Sequence, residues 1–303
     1  MDRLRQVERW CLWGHILSMA FGLAGLLIVM PHPELLEPIP AGPTLYSWSL
    51  AGGGVAYILM GTVAVTLHTY RTLGRYSLLT FLVPALAISL GAELLGTSTG
   101  FPFGDYSYLN GLGYKVAGLV PFTIPLSWFY LGISAYLLAR GFLLKEKSTL
   151  VRHLGAIAIG ATLLMSWDFV LDPAMSQTAM PFWYWHTPGA FFGMPYQNFL
   201  GWFGTGAIFM TVAALLWGRK QTVAPSRQQL NSPLVIYLAN FAFAMVMSLA
   251  SLMVIPVLLG ILVGALPAVL CWRATPVREA STSLESDVDP LDITAAPVGM
   301  VMK

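Results

Sequence analysis

Charge is what this chain most lacks. Only 10% of its 303 residues are Asp, Glu, Lys or Arg, against roughly 25% in a soluble domain. Hydrophobic residues make up 56%, and the mean hydropathy is +0.69. An ordinary soluble globule is excluded, nucleic acid is not an expected partner, and the class is that of an integral membrane protein. Cysteine is scarce as well. Cys11 and Cys271 both fall at span ends on the same side, so no disulfide is expected. The five histidines, His15, His32, His68, His153 and His186, are too scattered for the clustered boxes of a membrane di-iron oxygenase. No glycine-rich phosphate loop precedes a helix. A metal-diphosphate site needs two aspartate-rich clusters, and only one Asp-x-x-x-Asp pair, Asp168 and Asp172, is present. Neither a metal nor an organic cofactor is expected.

Apolar runs are what the chain has. Eight reach the ~20 residues of a spanning helix, at about 10–30, 45–68, 77–97, 117–139, 153–172, 199–218, 232–252 and 255–272. The expected fold is all-α, a polytopic membrane helix bundle of about eight transmembrane helices. It has seven if the last two, which meet near Ser251 and Pro256, are one. Residues 1–272 form this bundle, and the polar, acidic stretch 273–303 reads as a disordered tail. The run from Trp10 to Met30 is too long for a signal peptide and no small-x-small cleavage site follows it, so it is a retained helix. With eight alternating spans, 15 of the 16 Lys and Arg fall on one side and only Lys115 on the other. Both termini are therefore expected to be cytoplasmic.

On the outer side, four acids lie at or just inside the face: Glu93, Asp105, Asp168 and Asp172. Glu93 is about one turn inside the end of span three. Pro173 disfavours helix for the residue before it, so span five is expected to stop near Asp172, with Asp168 one turn deeper, ~6 Å at 1.5 Å per residue. As a helix stop or cap, Asp172 would be structural. Carboxyls at matching depth on two helices point to one pocket, since ionisable groups inside a bilayer are costly and mark function.

The loops after the two acids are alike. Pro121 precedes Trp128-Phe129 by seven residues, as Pro195 precedes Trp202-Phe203, and the two tryptophans follow Glu93 and Asp168 by 35 and 34 residues. The pattern reads as a duplicated helix–loop–helix unit. Both loops are rich in aromatics, among them Phe101, Phe103 and Tyr106 in the first and Trp183, Trp185 and His186 in the second. An interfacial belt would explain aromatics alone. The glycine and acid in "FPFGDYSY" point to a segment that folds back into the membrane, buried in protein.

Burial disfavours the charged form of a carboxyl, so such an acid can protonate an alkene, and aromatic faces stabilise the cation that results. These are the ingredients of an alkene hydratase or an alkene cyclase.

The segments "GAELLGTSTGFPFGDYSY", "PFTIPLSWF", "MSWDFVLDPAM" and "FFGMPYQNFLGWF", within about residues 85–205, resemble the CruF-type carotenoid 1,2-hydratases, the family of γ-carotene 1′-hydratase and bisanhydrobacterioruberin hydratase. The resemblance implies a cofactor-free enzyme of a bacterial plasma membrane or cyanobacterial thylakoid. Its partners would be an acyclic carotenoid end, water, the lipid bilayer and later carotenoid-modifying enzymes. On the residues, Asp168 is the expected proton donor and Glu93, with Asp105, holds water, though the two roles can be exchanged. Asp172 completes the acid set. The expected substrate-binding residues are Trp167, Phe101, Phe103, Tyr106, Trp128, Trp183, Trp185, His186, Asn198 and Trp202. Two rivals use the same acids: a lycopene-cyclase-like enzyme, and a proton-coupled transporter.

Overall fold

A computed structural model of the chain describes residues 2–178, 180–218 and 225–277. Seven helices are long and apolar enough to cross a membrane: α1 (Asp2–Val29), α2 (Gly42–Thr99), α3 (Thr123–Phe142), α4 (Thr149–Ser176), α5 (Gln197–Gly218), α6 (Asn231–Ala250) and α7 (Val254–Ala274). At 1.5 Å per residue the 58 residues of α2 would reach ~87 Å, far more than a ~30 Å hydrocarbon core. Gly74 resolves this. Its backbone at φ 81° and ψ 169° breaks the helix, a conformation glycine reaches without steric cost. The two arms of α2 match the expected spans 45–68 and 77–97, which gives eight crossings of a multi-pass membrane protein. The last two expected spans are separate helices, turned at residues 251–253 with Leu252 at φ 59°. Pro256 sits in the first turn of α7, where a missing N–H costs little. The last helix ends at Ala274. Residues 278–303 of the expected tail, with Arg278 and Lys303, lie outside the described residues, as do Arg219 and Lys220.

One helix end departs from expectation. The α4 helix does not stop at Asp172 but runs through Pro173 to Ser176. Pro173 removes the N–H that would bond the Phe169 carbonyl, and side-chain donors brace the turns on either side of that gap: Ser248 on α6 donates to the Val170 carbonyl at 2.8 Å and Ser176 to the Asp172 carbonyl at 2.7 Å. Asp172 therefore lies one turn inside the helix and caps nothing.

The second arm of α2, α3, α4 and α5 carry the two segments of similar Pro and Trp-Phe spacing, and α3 is buried along almost its whole length. At one end of the bundle, Glu8 of α1 pairs with Arg71 (2.7 Å) and His68 (2.9 Å) near the kink of α2 and accepts from Ser232 at the start of α6 (3.2 Å). At the other end, the two long loops meet. Strand β1 (Tyr106–Tyr108) pairs antiparallel with β4 (Trp183–Trp185), Ser107 facing Tyr184, while β2 (Lys115–Val116) and β3 (Val120–Pro121) close a small hairpin.

Candidate active site

Beneath the β1–β4 pair lies a cavity of about 80 Å³, room for a few waters or the tip of a branched chain. Glu93, Asp168 and Asp172 all line it, each with no more than 3% of its surface exposed. Each acid is differently held. Glu93 accepts three hydrogen bonds: Oε2 from the Tyr106 and Tyr108 hydroxyls, the latter at 2.9 Å, and Oε1 from the Trp128 indole at 2.9 Å. Burial, and then the adjacent Glu93 charge, push both loop phenols well above the ordinary tyrosine range. Both phenols thus remain donors.

Asp168 and Asp172, one turn apart on α4, share a donor. Asn198 Nδ2 on α5 donates to Asp168 Oδ2, to Asp172 Oδ2 at 3.2 Å, and lies 2.9 Å from Met194 Sδ. Asp172 Oδ1 also accepts from the Trp183 indole. Asp168 Oδ1 has no hydrogen-bond donor among the described residues, so one oxygen of this cavity-lining acid is open. The Trp185 indole N–H, which also lines the cavity, is buried and makes no hydrogen bond of good geometry among the described residues.

The opposite wall is aromatic. Trp128 and Trp202, the matched residues of the two similar segments, stack with centroids 4.1 Å apart and planes at 22°. Trp167 meets Trp202 edge-on at 5.8 Å, its indole N–H donating to the Asn240 carbonyl at 3.2 Å. Phe103 also lines the cavity. It is seated against Gly96 and Gly201, where a Cβ on either would strike its ring.

Three expected residues are elsewhere. Asp105 (side chain 66% exposed), His186 (40%) and Phe101 (64%) sit outside the cavity on the outer surface. Side chains alternate along a strand. In β1, Tyr106 and Tyr108 point inward, so Asp105 and Ser107 point out. In β4, Trp183 and Trp185 face the acids, so Tyr184 and His186 face out. His186 Nε2 bonds Ser107 Oγ at 2.9 Å and lies 3.9 Å from Asp105. The alternation was present in "DYSY" and "WYWH" and could have sorted these residues. Tyr108 was overlooked for the same reason.

Also overlooked were Tyr57 on the first arm of α2 and Phe243 on α6, which line the cavity too. No signal marks them, since an aromatic in an apolar span looks like any other. Among the described residues, no group of three His, Cys, Asp or Glu side chains is arranged to hold a metal ion.

A family model described as "carotenoid biosynthesis protein" matches residues 53–267, a wider range than the 85–205 of the motif resemblance. The chain is 32% identical over 197 residues to bisanhydrobacterioruberin hydratase from Haloarcula japonica, an alignment covering 63% of this chain and 61% of that relative. The chain thus spans about three fifths of the relative's length. No solved structure matches it. Because the family match runs from the first arm of α2 into α7 and takes in all three acids that line the cavity, the chain belongs to the carotenoid biosynthesis protein family.

Proposed function

We propose that the protein adds water, without a cofactor, across the terminal (1,2 or 1′,2′) double bond of an acyclic carotenoid end group, giving a tertiary alcohol. The observation that carries this reading is the set of three buried carboxyls around one small, aromatic-walled cavity, in a chain similar to a named carotenoid hydratase. Asp168, with its open oxygen, gives a proton to the CH carbon of the alkene. The π pair forms the new C–H bond and leaves a tertiary cation at the dimethyl carbon. Trp167 and Trp202 face that cation, and an aromatic face stabilises a desolvated cation by about 2 kcal/mol. A water held near Glu93 attacks the cation and loses its proton to that acid, which already carries a fixed cradle of three donors. Exchange through cavity water then restores the proton of Asp168. Acid–base help of this kind is typically worth about 10²–10⁴-fold.

In this reading both termini are cytoplasmic, in a bacterial plasma membrane or thylakoid, and the acids lie near the opposite face beneath the strand pair. The hydroxylated product goes on to later carotenoid-modifying enzymes. The test is purified protein with lycopene or γ-carotene in ¹⁸O-labelled water under anaerobic conditions, with no vesicle or gradient. The expected product is heavier by one labelled water. A product of unchanged mass would make the protein a cyclase. Oxygen dependence, or loss of activity with a chelator, would overturn the mechanism.

A further inference from the structure

The lining of the cavity is of two kinds. One part is made of the acids, Asn198 and the strand aromatics. The other is made of Gly54, Tyr57 and Ile58 on the first arm of α2, with Phe243 on α6. Those two helices lie outside the four that carry the two similar segments. The Tyr57 and Phe243 rings stack at 6.0 Å with planes 29° apart, and both are only half-buried.

The other directions are closed. Toward the outer surface, Gly54 packs so tightly on the carbonyl of Gly111 that a Cβ would strike it. Toward the other end of the bundle, His15 contacts the Tyr57 carbonyl through Nδ1 at 2.7 Å and Asn240 Nδ2 through Nε2 at 3.0 Å, while Tyr130 donates to Asn240 Oδ1 at 3.1 Å. A carbonyl on one ring nitrogen and an amide donor on the other require the neutral imidazole with its proton on Nδ1. This side is a sealed, uncharged plug.

We infer that Tyr57 and Phe243 form the subsite for the conjugated chain behind the reacting double bond. Gly22 of α1 lies against the Phe243 ring on this side, and that chain leaves for the bilayer alongside α1, between the first arm of α2 and α6. The inference rests on the carotenoid reading. A cavity of about 80 Å³ admits only the end of such a molecule, so the remaining polyene has to leave through a wall. The outer wall is polar and strapped by paired strands. The Tyr57–Phe243 wall is apolar, and two offset rings suit the face of a flat π-system.

The experiment uses the full chain in lipid nanodiscs. A photo-crosslinking benzoylphenylalanine is placed at position 243 and, as a control, at Phe21, a residue of α1 that is 72% exposed. After loading with lycopene and irradiation, position 243 is expected to carry a lycopene adduct and position 21 lipid adducts. Kinetics supply the second arm. Phe243→Trp is expected to raise KM for lycopene at least tenfold more than KM for a short acyclic isoprenoid with the same end group, and Phe243→Leu, which removes the ring face, also to raise KM for lycopene more than for the short substrate. Lycopene conversion with no adduct at 243, or equal KM shifts for long and short substrates in Phe243→Trp, would overturn the subsite and leave the hydratase reading standing. Failure of the unaltered protein to bind or convert any carotenoid would overturn both.

Discussion

Asp168 and Asp172 are held by the same nitrogen, Asn198 Nδ2. Two carboxyl groups so placed lie within a few ångströms of each other, with no cation among their hydrogen-bond partners. At ~5 Å and an effective ε of ~20, ionising both costs about 3 kcal/mol. The pair therefore titrates as a unit and shares its protons.

Asp168→Asn and Asp172→Asn are each expected to lower kcat by about 10²–10⁴-fold, and the double variant to be no slower than the worse single one, as for residues acting together. An Asp172 that merely ended a helix would tolerate asparagine. Turnover by purified variants, normalised to folded protein, decides between the two. Near-normal rates for Asp172→Asn would remove it from the acid unit.

Glu93 depends on its three donors. Tyr108→Phe deletes one hydrogen bond to a charged group, worth about 1.5–3 kcal/mol, so activity is expected to fall roughly 10- to 150-fold. Glu93→Gln brings an NH₂ against donors from Tyr106, Tyr108 and Trp128, and is expected to abolish turnover. Carotenoid analysis of cells producing each variant, with membrane protein levels measured in parallel, tests both. A Glu93→Gln enzyme of normal activity would show that water is held elsewhere.

Removing the outward-facing groups should matter little. Asp105→Asn, His186→Gln and Phe101→Leu are expected to keep kcat/KM within about twofold, since surface changes away from a site cost little. A large loss in any of them would mean that the outer face of the strand pair takes part in the reaction.

Trp167→Leu removes a cation-facing ring and leaves every acid in place. At about 2 kcal/mol for a desolvated aromatic face, kcat is expected to drop about 30-fold while KM moves little. A rise in KM at constant kcat would instead assign Trp167 to substrate binding alone.

The acids were legible because a bilayer makes them expensive: Glu93 and Asp168 stand out in apolar runs, and the cavity contains both. The pairing of Trp128 with Trp202 was legible as spacing, and the structure brings the two rings into contact. The reach of α4 past Pro173 was not legible, because one contact that braces this part of the helix comes from Ser248, a residue 75 positions along the chain on α6. Loop aromatics were legible only as a group. Composition treats Phe101 and Phe103 alike, and only packing against Gly96 and Gly201 tells the buried ring from the exposed one. Asp105 was misplaced because its loop was read by content, whereas strand alternation assigns its side.

The Ser107–Tyr184 register and the Trp128–Trp202 stack set the two similar loop-and-helix segments on either side of residues 143–148 against each other. In a homodimer each half would carry the same acids and the same donors. Here one half keeps a single glutamate cradled by three donors, and the other keeps two aspartates on one amide. Two identical halves related by symmetry could not set one glutamate on three donors opposite two aspartates on one amide.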